Sequence, residues 1–416
     1  MSIWPLTAQP ALSIGGLGLA EIAERFGTPT YVLDEEHLRA RCREYSKAMA
    51  PHEVAYAAKA FWCRAMARWI AEEGLALDVC SEGELTVAAA AGFPAGRILL
   101  HGNGKTLNEL SAALDYGVGR VVVDSVGEVV QLAALADRRQ QVLVRVTPGV
   151  DAHVHRAVTT GTEDQQFGLS IAAGAAADTA HRILRLPSLE LTGVHCHLGS
   201  QITSLDAFET AARRLVAFMA GLGGLPELNL GGGHAVPYRP RDQGLDIASF
   251  AERIIGVVEQ ECAAYGIPVP RLTVEPGRAI VGPAGVTLYR VLAVKRGARL
   301  FVVVDGGMSD NPRPALYGSR YHVERVGTRA AAKTEPMTVV GQHCEAGDVL
   351  APDAHLPRNI RPGDLLAVPC TGAYHHAMAS NYNHLTRPPV IAVRDGQARP
   401  VIRRETDEDL LRRDTG

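Results

Sequence analysis

The run EVAYAAKAFWCRAMARWIAEEGLALDVC, residues 53–80, decides the architecture. Its opening EVAYAA is short, apolar and suited to a buried strand. Beyond it Trp62, Met66, Trp69 and Ile70 fall at i, i+4, i+7 and i+8, one face of a helix that Gly74 ends. ALDVC at 76–80 then opens a second strand, so little chain is left for loops. The same unit recurs outward from here. Strands are expected at 97–101 (RILLH), 120–124 (RVVVD), 142–147 (VLVRVT), 192–197 (TGVHCH), 227–231 (ELNLG) and 271–275 (RLTVE). Eight βα units over about 230 residues predict a TIM barrel rather than an open doubly wound sheet.

The texture changes after Arg278. VTLYRVLAVKR, RLFVVVDGG, PMTVVGQHC, DLLAVPC, PPVIAV and RPVIRRE are β-rich runs divided by Gly and Pro, with little helical period. The early TPTYVLD at 28–34 adds a strand to them. The expected fold is therefore α/β: a (β/α)8 TIM barrel over 36–280, with an all-β barrel or sandwich built from 1–35 and 281–416.

Composition narrows the function classes. Of 416 residues, 47% are hydrophobic and 21% charged, and the formal net charge is −3. That balance offers no basic stripe for nucleic acid and no polybasic membrane patch. No uncharged apolar run reaches the ~18 residues that a membrane span needs. MSIWPLTAQPALSIGGLG lacks the charged and apolar regions of a leader. The seven cysteines (42, 63, 80, 196, 262, 344 and 370) include no C-x-x-C pair, which excludes a zinc ribbon and fits a reducing, cytoplasmic setting. Most suit small core positions. Cys344 differs, because it lies in the polar, Gly-flanked stretch GQHCEAGD.

Polar residues at the C-terminal ends of barrel strands build active sites, whereas those elsewhere serve stability. The strand ends carry Lys59, Asp78, His101, Asp124, Arg145 with Thr147, His197, Gly231–Gly233 and Glu275. Lys59 is one of only five lysines in the chain, between an apolar strand and an apolar helix face. Desolvation there lowers a lysine's pKa and makes a Schiff-base nucleophile, although a snorkelling lysine fits the position equally well. The triple glycine after strand seven suits a phosphate, since glycines let backbone N–H groups approach its oxygens, but a plain turn would also explain it. Together the two point to pyridoxal 5'-phosphate (PLP). Glu275, in EPGR, suits the pyridine nitrogen, which it would keep protonated so that the ring becomes a strong electron sink. The His195-x-His197 pair admits a metal-dependent hydrolase as a rival reading, but no metal site explains the glycines or EPGR. His197 is expected to stack on a flat ring and His195 to be structural.

The markers YAAKAF, LDVCSEGEL, HGNGKTLNEL, GVHCHLGSQI, LNLGGG, VEPGRAIVGPAG, VDGGMSDNPRPALYG, HCEAGD and GAYHHAMASNYN occur in this order. In them the chain resembles, nearly end to end, the diaminopimelate decarboxylases, which are fold-type III PLP enzymes. The resemblance implies a Schiff base at Lys59, His197 stacked on the PLP ring, and the phosphate held by Ser200, Gly231, Gly232 and Gly233. It puts Glu275 at the pyridine nitrogen, and Asp78, Gly277, Arg278 and Tyr374 complete the cofactor set. Arg278, Arg313, Tyr317 and Tyr374 would bind substrate. Cys344 as proton donor and Glu345, holding the distal amino group, would enter from the second subunit of a homodimer. No metal is implied.

In that family comparison, ornithine and lysine decarboxylases carry an acid where this chain has Gly318. Arg313 is suited instead to a second carboxylate. The implied reaction is decarboxylation of meso-2,6-diaminopimelate to L-lysine and CO2. Gln166, Ala346, and Pro312 and Pro314 beside Arg313 depart from the family pattern. They leave room for a paralogue acting on another, possibly carrier-bound, amino acid. A silent heterodimer partner would have no need of Lys59, Glu275 and Cys344.

Overall fold

The computed structural model describes residues 7–8, 12–151, 161–162, 164–327 and 333–416, so half of the N-terminal run tested above for a leader lies outside the described residues. Eight parallel strands form one unit: β1 (Glu53–Ala57), β2 (Ala76–Val79), β3 (Ile98–Leu100), β4 (Arg120–Val123), β5 (Gln140–Thr147), β6 (Leu189–His195), β7 (Glu227–Asn229) and β8 (Arg271–Val274). Each pairs with the next, and β8 returns to β1 through Thr273↔Glu53, which closes the ring. The predicted TIM barrel is present, with each of its eight strands within a few residues of its expected place.

Local chemistry starts the helices where the loops leave the strands. Ser81, Thr106, Ser125, Ser204 and Asp246 each cap a barrel helix by accepting a backbone N–H from its first turn, and Thr106 with Glu109 makes a full capping box. Such caps contribute about 1 kcal/mol each. At the opposite, N-terminal ends of the strands, Arg120 lies 2.7 Å from both Glu53 and Glu227, and Arg271 bridges the same two acids at 3.2 and 3.0 Å. Four strands are thus tied together by charge on the face away from the chemistry.

The second unit comprises residues 1–41, 236–242 and 278–416. Its boundary falls inside the helix Glu35–Met49, and 236–242 is an excursion from within the barrel sequence that no composition change announces. The strand Thr30–Asp34 pairs antiparallel with Gly285–Arg296 and parallel with Val390–Arg394. Gly285–Arg296 is long enough, at 12 residues, to pair also with Leu365–Pro369 and Leu300–Val304. Ile14, Leu19, Ile22, Val32, Val286, Leu288, Ile391 and Val393 pack together as its core.

This unit is less purely β than its sequence texture suggests, since Leu19–Phe26 and Arg313–Tyr317 are helical. The strand Val349–Pro357 escapes sequence reading because it contains Pro352 and Pro357. It lies at the sheet edge beside Thr334–Val340, where a missing N–H costs no ladder bond. Among the described residues no helix is long and apolar enough to cross a membrane.

Candidate active site

Lys59 leaves β1 in the single turn Ala58–Ala60, and its Nζ lies 3.4 Å from Asp78 Oδ2 at the end of β2. The pairing Ala57↔Asp78 brings the two together. Gly277 closes this turn from the other side. A Cβ there would meet Ala60 Cβ at 2.9 Å and Ala57 O at 3.0 Å, so only glycine lets the loop after β8 pass so close.

Glu275 is the buried centre of the barrel mouth. Its Oε1 accepts the Asn229 side-chain N–H from the end of β7 at 2.7 Å and lies 2.9 Å from His101 Nε2. Its Oε2 lies 3.2 Å from His195 Nε2. Burial alone would push the Glu275 carboxyl up, but the two imidazoles hold it well below the usual carboxylate range. Burial pushes His195 down to about 4, against the pull of Glu275. His195 is therefore a neutral ring whose Nε2–H must donate, because an ionised carboxylate only accepts. Its Nδ1 then carries a bare lone pair with no hydrogen-bond partner among the described residues.

His197 lies two residues beyond, past the end of β6, and does a different job. Its Nδ1 accepts the Gly232 N–H at 3.1 Å, and burial, with the charges of Lys59 and Arg145, pushes its pKa well down. The H-x-H pair is thus divided between Glu275 and Gly232. His101, His195 and Glu275 have ligand atoms within 4.8 Å of one another, and direct histidine–carboxylate contacts account for that convergence.

The three glycines are not equivalent. A Cβ on Gly232 would lie 2.2 Å from Glu275 O, and one on Gly233 2.2 Å from Gly199 O, so both loops touch bare backbone. Yet the Gly231 N–H already donates to Asn229 Oδ1 at 2.9 Å and that of Gly232 to His197. Gly233 is the one of the three whose N–H makes no bond within the described residues. Ser200 follows β6 in the adjoining, half-buried loop.

Not every strand-end group joins this cluster. Asp124 accepts the Gly168 N–H at 2.8 Å, Thr147 donates to Phe167 O at 2.9 Å, and the Arg145 guanidinium lies 4.6 Å over the Phe167 ring. These three hold the chain that follows β5. The expectation that polar groups at strand ends build the site therefore does not hold for Asp124, Arg145 and Thr147.

In the other unit two arginines share a set of tyrosine rings. Arg278 hydrogen-bonds Tyr238 Oη, and its guanidinium lies 4.5 Å over Tyr374, a residue held at φ +61°. Arg313 donates to Tyr321 Oη at 2.8 Å and Ser319 Oγ at 3.3 Å, and its guanidinium lies within 6 Å of the rings of Tyr238, Tyr317 and Tyr374. It is 6% exposed, yet it has no carboxylate within salt-bridge distance among the described residues. Burial would lower its pKa, but the surrounding phenol oxygens raise it, so it stays cationic. Pro312 and Pro314 do not displace it. They begin the helical turn Arg313–Tyr317 that carries it, where a missing N–H is harmless. His375, one residue on from Tyr374, is fully buried, with Nδ1 2.8 Å from Ala373 O.

Cys344 and Glu345 are both exposed, on a turn after Thr334–Val340. Glu345 accepts the Tyr382 hydroxyl at 3.2 Å. Asp348 ties the turn down, accepting the N–H of His343 at 2.9 Å and of Met308 at 2.7 Å. Sequence reading passes over Asn229, Tyr238 and Tyr321. Asn229 sits openly in LNLGGG at a strand end and was within reach of the strand-end rule. Tyr238 and Tyr321 carry no local signal.

The barrel residues fit a flat, phosphate-bearing aldehyde. They supply an amine beside an acid, an ionised buried carboxylate, a neutral imidazole and a glycine cradle that any Cβ would fill. Comparison with known proteins agrees. The family described as pyridoxal-dependent decarboxylase, pyridoxal binding domain, matches residues 35–282. A diaminopimelate decarboxylase of Actinosynnema pretiosum subsp. auranticum is 58% identical, over 99% of this chain and 95% of that protein. That of Mycobacterium tuberculosis is 46% identical, over 99% and 97%. The crystal structure of diaminopimelate decarboxylase from M. jannaschii in co-complex with L-lysine superposes with a TM-score of 0.92 at 31% identity, covering 98% of this chain and 96% of that one.

Proposed function

This chain belongs to the pyridoxal-dependent decarboxylases, in their diaminopimelate decarboxylase branch, and from that premise we propose how its residues remove CO2 from meso-2,6-diaminopimelate to leave L-lysine. PLP would be held by Lys59 through Nζ, by His197 against its ring, by Glu275 at its ring nitrogen, and at its phosphate by Gly233, Ser200 and Tyr374. Asp78 and Gly277 act on Lys59, one through charge and one through the close packing of its turn. Gly231 and Gly232 act through shape, since their N–H groups orient Asn229 and His197. Bound there, PLP supplies a sink for the electron pair that departing CO2 leaves behind.

The remaining work falls to side chains. Glu275 stays ionised because Asn229, His101 and His195 surround it, and so it would keep the cofactor's ring nitrogen protonated. Arg313 takes the carboxylate that is retained, with Arg278 and Tyr317 beside it. Cys344 returns a proton to Cα, and Glu345 takes the distal ammonium. The exposure of Cys344 and Glu345 on their own chain supports service in a second copy, as a homodimer with shared sites. No disulfide joins the described cysteines, which supports the cytoplasm as its place.

The observation that carries the substrate is Arg313. A buried guanidinium without an acid is costly unless an anion arrives, and a planar fork fits a carboxylate. The test is CO2 and L-lysine release by the PLP-loaded protein from meso-diaminopimelate, run beside LL-diaminopimelate, L-lysine and L-ornithine. Turnover confined to the meso isomer is expected. Equal turnover of L-lysine or L-ornithine, which lack the second carboxylate, overturns the assignment of Arg313.

A further inference from the structure

The proton donor needs more than a thiol; it needs a thiol held at one place. Cys344 is exposed, and the turn that carries it has no regular structure of its own to fix it. What holds its backbone is a relay of side chains from two other segments. Ser309, in the loop before Arg313, places its backbone N–H 3.3 Å and its hydroxyl 2.9 Å from His343 Nε2. A backbone N–H only donates, so Nε2 carries the lone pair and the proton of the neutral ring sits on Nδ1. Nδ1 lies 3.1 Å from Asn383 Oδ1, and the same oxygen faces the Cys344 N–H at 3.4 Å. Two donors converge on it, which settles which end of the amide points inward. The His343 ring also stacks on Tyr382, centroid to centroid 5.2 Å, the residue that bonds Glu345.

Asn383 sits at φ +54°, ψ 24°, a left-handed conformation that asparagine tolerates better than other residues with a Cβ. Non-glycine residues kept in that region tend to gather where geometry is under functional demand. The conformation is what turns the amide back toward the Cys344 turn.

We propose that Asn383, oriented by His343, is a positioning residue that fixes the Cys344 backbone and so aims the thiol at the substrate carbon that must be reprotonated. The proposal rests on the reading of Cys344 as proton donor. It adds that the donor's aim is set from the SNYN segment by one shared acceptor oxygen.

Four variants of the PLP-loaded full-length protein test it: N383G, which keeps the backbone conformation but removes the acceptor; N383D, which keeps an oxygen for both donors; C344A; and the double variant N383G/C344A. The readouts are kcat, the ratio of lysine formed to CO2 released, and the iodoacetamide alkylation rate of Cys344, followed by peptide mass spectrometry. A misplacement of about 1 Å costs up to ~100-fold in rate, and N383G is expected to lose roughly tenfold or more in kcat. Its lysine-to-CO2 ratio should fall below one, and its Cys344 should alkylate severalfold faster. N383D should lie near the parent, and N383G/C344A should match C344A alone. Parent-like N383G beside a crippled C344A overturns the positioning role and spares the donor. Losses that add in the double variant also overturn it, because they reveal general damage. A C344A protein with full turnover and a ratio of one overturns the reading of Cys344 itself. Should N383G not fold, N383S, with a shorter reach, takes its place with the same outcomes.

Discussion

Asp78, whose side chain is 2% exposed, lies 3.4 Å from the amine of Lys59, whose side chain is 43% exposed: a buried acid anchors a cation on a side chain that still reaches solvent. The acid comes from the strand next to the lysine's own, so the pair is set by barrel register and not by a flexible loop.

Lys59→Ala is expected to abolish both CO2 release and the visible absorption of PLP-reconstituted protein, while the circular dichroism of the barrel persists. A visible band of parent intensity in this variant would show that another amine holds the cofactor.

Arg313→Ala should lower kcat/KM for meso-diaminopimelate by about 100-fold, the equivalent of ~3 kcal/mol for a charge-assisted pair, and leave the cofactor spectrum intact. Arg313→Lys should recover little, because an ammonium cannot reproduce the planar fork that Tyr321 and Ser319 orient. Steady-state kinetics on both variants, with spectra recorded alongside, decide the matter.

Stability should fall on acidification from pH 7 to pH 5. Burial pushes His195 and His376 down to about 4 and His375 to about 3. Folded values below the unfolded ~6.5 mean that the unfolded chain takes up protons first, so stability is lost as pH drops through that window. Asp310 works the other way. Burial pushes its carboxyl up to about 7, so it adds stability as pH falls from 7 toward the unfolded carboxylate range. The three histidines, joined by His197, whose pKa burial also pushes well down, outweigh Asp310, and the net direction is a loss of stability. Thermal melts across this range should show it, and Asp310→Asn should steepen the slope; a flat profile for both proteins contradicts the account.

Arg120→Ala should destabilise without touching catalysis. Arg120 is buried and bridges Glu53 and Glu227 at the N-terminal end of the barrel, and its loss leaves two acids to share Arg271. Removing one partner of a buried ion pair costs about 3 kcal/mol. Urea melts should shift by that amount, with kcat unchanged.

Much of this protein is legible from local pattern. The period of Trp62, Met66, Trp69 and Ile70 marks a helix, the apolar runs beside it mark strands, and eight repetitions imply closure, because each rule acts within one turn or one strand. Lys59, His197 and Glu275 follow once strand ends are known. What the chain alone leaves open is which polar groups meet. Asn229 reaches Glu275 across 46 residues because β7 pairs directly with β8, and His101 reaches it from the end of β3 because the ring closes β8 onto β1. Asp124 and Arg145, equally well placed in sequence, turn instead to the chain after β5. Gly231 and Gly232, identical to Gly233 in one dimension, differ because Asn229 and His197 claim their N–H groups. Residue type and period are short-range properties that sequence carries. Convergence of side chains distant along the chain depends on strand register and on competition for hydrogen-bond partners, and these exist only once the barrel and the β unit have each folded.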